Sequence, residues 1–171
     1  MNYCKEEIVK KFGFTKVCKV IAGGKERYDS VYAGLLGCTD CDYVFIHDGA
    51  RPFVTVQMIE KGYRAVNKTG ACVIGMPSKD TVKLSDPEGT LKRHQIAKLY
   101  GIFRLLRFFS YELIRKSYES IRKKDMSNVT DDAMVVEQET GRKILLVEGS
   151  YRNIKITTPE DLAVAEAFLR Y

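Results

Sequence analysis

Short apolar runs alternate with amphipathic stretches along this chain, and that alternation confines it to an α/β fold. Val17 to Ile21, Tyr43 to Ile46, Ala71 to Met76, Ile144 to Val147 and Asn153 to Ile156 each have the length and character of a buried strand. Glu6 to Phe12, Arg27 to Leu36, Val56 to Asn67, Ser110 to Lys124 and Asp131 to Glu139 carry helical spacing, the last of them capped by Thr130. Thr158-Pro159-Glu160-Asp161 opens a final helix with an N-cap, a proline at the first position and acids in the first turn. Thr81 to Leu84 is a short extended piece before the turn Asp86-Pro87-Glu88-Gly89. The pattern predicts a mainly parallel sheet with helices on both faces. No internal repeat or flexible linker interrupts it, so residues 1–171 are expected to form a single domain.

Composition narrows the function classes. Apolar residues make up 45% of the 171, which suits a globular core and excludes a disordered chain. No apolar run is long enough to span a membrane, and the acids and lysines of the first residues do not form a signal peptide. The net charge of +6 comes from scattered lysines and arginines with acids between them, so no nucleic-acid partner is expected. The odd number of cysteines, 5, fits free thiols in a reducing cytoplasm. Cys38 and Cys41 form a lone CxxC without a second pair, a poor zinc site. Cys4, Cys18 and Cys72 are expected to be packing residues.

The stretch His47-Asp48-Gly49-Ala50-Arg51-Pro52 lies just past a strand, where α/β proteins put their ligands. A carboxylate there can hold a divalent cation and an arginine can grip a phosphate; a salt-bridged turn is the plain alternative. Gly23-Gly24-Lys25 leads into a helix whose first turn holds Ser30, where backbone N–H groups can meet a ribose or phosphate. Lys79-Asp80-Thr81-Val82-Lys83 is a polar extended piece. In Asn153-Ile154-Lys155-Ile156-Thr157 a lysine interrupts an apolar strand, and burying it is costly without an anion.

Taken in order, GGKERYDSVYAGL, HDGARPFV, KDTVK, TDDAMVVE and VEGSYRNIKITTPEDLAVAE closely resemble the 2-C-methyl-D-erythritol 4-phosphate cytidylyltransferase family, from Gly23 to the end apart from residues around 91–109. The ribitol-5-phosphate cytidylyltransferase family shares the skeleton, but the alanine of HDGARP and the unbroken GACVIGMP strand look more like the erythritol enzyme. The resemblance implies a Rossmann-like fold of the nucleotide-diphospho-sugar transferase type. It implies that Gly24, Lys25 and Ser30 lie along the cytidine and ribose of CTP, and that Asp48 holds Mg²⁺ and the CTP phosphates. Arg51, Thr130 and Lys155 would hold the methylerythritol phosphate, with Asp48 and Lys155 as the catalytic pair. Thr81 would lie on a β-arm, about residues 77–98, that crosses to a partner subunit of a cytoplasmic homodimer.

The chain also departs from the family. The resemblance implies an opening strand and a glycine-rich loop whose arginine and lysine clamp the triphosphate, and residues 1–171 contain neither. Losing such charge stabilisation costs orders of magnitude in rate, so the chain as written is expected to be inactive; a non-catalytic remnant that still dimerises is the alternative reading. The family signature T-x-D-R-x-x-L-[WY]-x-x-Q-T-P-Q-x-F is replaced by KRHQIAKLYGIFRLLRFF. Ile102 to Tyr111 can be encoded ATT TTC AGA CTC CTC AGG TTT TTC AGT TAT. Removing two T bases after ATT and one from the later T run turns it into I-Q-T-P-Q-V-F-S-Y, the missing signature. A similar shift in His94 to Leu99 restores S-D-R-K-L. Residues of about 91–98 and 103–108 therefore read as out-of-frame translation. Arg104 and Arg107 among Leu105, Leu106, Phe108 and Phe109 should then be a packing fault, with unpaired buried charge or exposed apolar side chains and a marginal, poorly soluble fold. The gene tests this reading: the codons for Phe103 to Phe108 should spell QTPQV in another frame, and codons that cannot encode it would show the segment to be genuine divergence.

Overall fold

The structure is a computed structural model. It describes residues 2–79, 83–94, 101–102, 106–124 and 129–170, the side chains of 83–84, 92–94 and 101–102 excepted. In chain order the helices are α1 (Arg27–Gly37), α2 (Val56–Thr69), α3 (Tyr111–Ile121), α4 (Asp132–Thr140) and α5 (Pro159–Leu169). The strands are β1 (Tyr43–His47), β2 (Ala71–Pro77), β3 (Lys83–Ser85), β4 (Leu91–His94), β5 (Gly101–Ile102), β6 (Leu106–Ser110) and β7 (Leu145–Glu148). A π-helical turn, Cys4–Lys10, precedes them. Contacts group the chain into two units, Met1–Asp42 with Tyr111–Gly141, and Tyr43–Ser110 with Arg142–Tyr171.

The second unit is built on a 5-stranded sheet in which β1, β6, β2 and β5 are successive partners and β7 pairs with β2. β1, β2 and β7 share one direction, since β1 and β2 both run against β6 while β7 is parallel to β2. The expected mainly parallel sheet is thus a mixed one. Between β2 and β6 no helix intervenes among the described residues, and a chain returning without a crossover can pair only antiparallel. β2 is buried from Ala71 to Met76, as its unbroken apolar run requires of a strand covered on both faces. β3 and β4 form a separate antiparallel hairpin, Lys83 opposite His94, closed by the expected turn at Asp86 to Gly89. It lies within the span expected for the β-arm; Thr81 lies outside the described residues.

α2 begins where the Thr55 hydroxyl accepts the Met58 N–H at 3.3 Å. Its apolar stripe meets the sheet in a cluster of Val66, Cys72, Ile74, Leu106 and Phe108. Burial pushes the Cys72 thiol up to about 12, so it stays neutral and unreactive. Cys4 and Cys18, in contrast, are exposed rather than packed. α5 starts on the capping box of Thr158 and Asp161 with Pro159 inside it, as the sequence indicates.

In the first unit, α1 starts on a capping box between Glu26 and Asp29. α4 is capped by Asp131, whose carboxylate accepts from the N–H groups of Ala133 and Met134 at 2.7 and 3.0 Å. Thr130, the expected cap, stands one residue too early. Asp132, fully buried, ties the helices: Arg27 donates to its two oxygens at 3.0 and 2.7 Å, and the Tyr118 hydroxyl donates at 2.6 Å.

Two expected strands are irregular. Val17 to Ile21 joins no ladder among the described residues and leaves Val17 and Ile21 42% and 43% exposed. Asn153 to Ile156 makes one ladder-like bond, the Ile156 N–H to the Ala50 carbonyl at 2.8 Å. An apolar run becomes a strand only where a neighbour offers its backbone, which the run itself cannot reveal. Lys155 is accordingly exposed, and the cost of burying it does not arise; the buried residue is Asn153.

Of the segment read as a fault, Leu106 to Phe109 lie in the inner strand β6. Leu106, Phe108 and Phe109 are buried, and so is Arg107, at 1% exposure. Arg107 is buried with a partner, not without one: its guanidinium meets Asp48. Arg104 lies outside the described residues. Phe108 also explains Gly62, because a Cβ there would lie 2.1 Å from its ring. Gly62→Ala should therefore destabilise the protein by about 1–3 kcal/mol through overpacking, read from urea unfolding midpoints; an unchanged midpoint would mean that the ring has room to move.

Candidate active site

The loop after β1 owes its geometry to register. Arg107 of β6 stands directly opposite Ile46 of β1. Asp48, two residues on, belongs to the same face, within diagonal reach of a long side chain. Arg107 Nη1 lies 3.5 Å from Asp48 Oδ1, and Arg51 Nε donates to Asp48 Oδ2 at 3.3 Å. Arg51 Nη1 also donates to the Asn153 carbonyl at 3.2 Å, and the Arg51 N–H closes the turn onto the Asp48 carbonyl at 3.0 Å. With the Ile156 to Ala50 bond, this sews the Asp48 loop to the segment carrying Lys155. The structure thus brings Asp48 and Arg51 together, buried or nearly so, and joins Lys155 to them through backbone contacts.

One carboxylate thus faces two permanent guanidiniums, Arg51 and Arg107. This arrangement does not fit the Mg²⁺ expected at Asp48. Each carboxylate oxygen already faces a guanidinium, whereas Mg²⁺ needs such an oxygen at about 2.0–2.1 Å. Among the described residues no group of His, Cys, Asp and Glu side chains is gathered for a metal ion.

Thr81 apart, which lies outside the described residues, the remaining expected residues belong to the first unit. Ser30 Oγ accepts the Gly24 N–H at 3.0 Å and donates to the Glu26 carbonyl at 3.3 Å, which folds the glycine turn over the start of α1. A Cβ at Gly24 would fall 2.2 Å from that of Asp29, so the turn requires glycine. Asp29 receives the Glu26 N–H at 3.2 Å and pairs with Arg122 at 2.6 Å, and the Arg122 hydrogen bond first of all holds its carboxyl below the usual range. Lys25 and Thr130 are exposed. Sequence reasoning missed Arg107, because its segment read as out of frame, and Asn153, whose buried place no motif marks. It also missed the Arg27–Asp132 pair, although an acid doublet at a helix start was its one visible sign.

Comparison with known proteins gives one family. The model of 2-C-methyl-D-erythritol 4-phosphate cytidylyltransferase matches residues 4–171. Proteins of that name from Lachnoclostridium phytofermentans and Clostridium kluyveri are 44% and 46% identical, over 99% and 97% of this chain and 73% and 71% of their own length. The crystal structure of a 4-diphosphocytidyl-2C-methyl-D-erythritol synthase from Anaerococcus prevotii superposes with a TM-score of 0.88 at 30% identity, over 98% of this chain and 78% of that one.

The linkage through Arg51 has a measurable consequence. Arg51→Met removes one partner of a largely buried pair together with its bond to Asn153, and should cost on the order of 3 kcal/mol in urea unfolding. A loss within experimental error would show that Arg51 does not hold the two segments together.

Proposed function

The chain belongs to the 2-C-methyl-D-erythritol 4-phosphate cytidylyltransferase family, and from that premise we propose that it carries the transfer of CMP from CTP to 2-C-methyl-D-erythritol 4-phosphate, in isoprenoid biosynthesis. The substrate phosphate oxygen attacks the α-phosphorus of CTP, a new P–O bond forms, the bond to the β-phosphate breaks, and pyrophosphate leaves. Such a reaction asks for positioning and charge neutralisation more than for covalent chemistry. The observation that carries the reading is the family match over residues 4–171, and the Arg51 links between the Asp48 loop and the Lys155 segment support it.

In this reading Lys155, exposed and without a part in the core, orients the erythritol phosphate, and Arg51 and Thr130 hold it. Arg51 keeps donors beyond its two side-chain bonds for this purpose. Gly24, Lys25 and Ser30 take the cytidine and ribose. No step is routed through a metal at Asp48. The β3–β4 hairpin supports a homodimer, because a lone two-stranded ribbon is marginal in water and gains by pairing with a second copy, to which Thr81 would be delivered. Free thiols at all five cysteines agree with a cytoplasmic setting, and no helix among the described residues is long and apolar enough to cross a membrane.

The test is pyrophosphate release from CTP with methylerythritol phosphate or ribitol 5-phosphate as acceptor. A version carrying QTPQV in place of Phe103 to Phe108 should use the erythritol acceptor. The chain as written should be slower by about a hundredfold or more, and Lys155→Ala in the restored version should lose a similar factor. Preference for ribitol 5-phosphate, or full activity without Lys155, would overturn the reading.

A further inference from the structure

We propose that Arg107 stands in the place of a divalent cation at Asp48, so that in this chain the Asp48 carboxylate is an arginine-held anchor and not a metal ligand. The inference rests on the cytidylyltransferase reading, from which the metal expectation came, but it concerns metal affinity and is tested without turnover.

Three observations carry it. Both Asp48 oxygens are engaged, Oδ2 by Arg51 at 3.3 Å and Oδ1 by Arg107 at 3.5 Å. Arg107 cannot withdraw into water, because its residue sits in β6 between β1 and β2 and is 1% exposed. Nor can it shed its charge, since a guanidinium does not deprotonate in proteins. Mg²⁺ or Mn²⁺ at Asp48 would have to sit beside the undiminished charge of a guanidinium that has nowhere to go. In the shifted reading of the same codons, the QTPQV stretch contains no arginine. Arg107 is therefore the positioning residue that decides whether Asp48 is open to a metal.

The probe is Mn²⁺ alone, with free ion followed by electron paramagnetic resonance on the full chain. In the unaltered protein, Asp48→Asn should leave Mn²⁺ affinity unchanged. Arg107→Gln should create a site about tenfold tighter or better, abolished in the R107Q/D48N double variant. Arg107→Lys, which keeps the charge, should leave the site closed, an outcome that a merely structural role would not produce. Should either variant fail to fold, the carboxyl ¹³C signal of Asp48 in the unaltered protein decides the matter: it should keep its width as Mn²⁺ is added. Paramagnetic broadening of that signal, weaker binding in D48N, or R107Q binding no better than the unaltered chain would each overturn the proposal. Failure here leaves the acceptor assay untouched, and failure of that assay leaves the metal result standing.

Discussion

A guanidinium inside a sheet must be neutralised, and the second unit is arranged around that requirement. Arg107 is carried by a strand flanked by β1 and β2, with Phe108 and Phe109 beside it in the core. A charge in that position destabilises the fold by several kcal/mol unless a counter-charge reaches it. The register of β1 against β6 puts Asp48 where it can do so. Asp48 in turn holds Arg51, and Arg51 holds the Asn153 carbonyl. The path from a buried core charge to the segment bearing Lys155 is thus a short series of polar contacts.

The first unit solves the same problem with the signs exchanged. Asp132 is the buried charge there, and Arg27 and Tyr118 converge on it from α1 and α3. Its carboxylate lies in the first turn of α4, where the helix dipole also favours a negative group. The paired geometry is bidentate, the strongest form of a carboxylate–guanidinium contact. These bonds fix the start of α1, directly after the glycine turn of Gly23, Gly24 and Lys25, so the expected nucleotide-side residues are positioned by a contact that none of them makes.

Much of this architecture was legible in the sequence. β1, β2, α2 and α5 fall where period, run length and caps put them, because each signal is local: Thr158 marks a helix start, the period of Val56 to Asn67 marks α2, and an apolar run marks β2. What was not legible depends on partners distant in sequence. Val17 to Ile21 and Asn153 to Ile156 have strand composition, yet neither joins a ladder among the described residues. Lys155 was expected to be buried because its neighbours are apolar, yet without a ladder the segment turns that side chain outward. Arg107 is the sharpest case. Its composition argued for a fault, and only the pairing of β1 with β6 shows that an acid lies within reach. Of the candidate site, the Asp48–Arg51 contact could be anticipated from spacing, whereas the buried carbonyl of Asn153 could not.

This arrangement changes how the candidate residues should be weighed. Asp48 is needed by the fold whether or not it is needed by chemistry, since removing its charge leaves Arg107 and Arg51 to repel each other in a poorly hydrated place. Loss of activity on altering Asp48 would therefore say little about catalysis by itself. Lys155 is different. It is exposed, and its segment is held by the backbone of Asn153 and Ile156 and not by its own side chain. Its ammonium can be removed without cost to the core, so a change there tests the proposed role and not the fold. The two tasks overlap in Arg51, which builds the loop and in the proposed reading also holds the phosphate, whereas Lys155 projects from a segment the loop only supports.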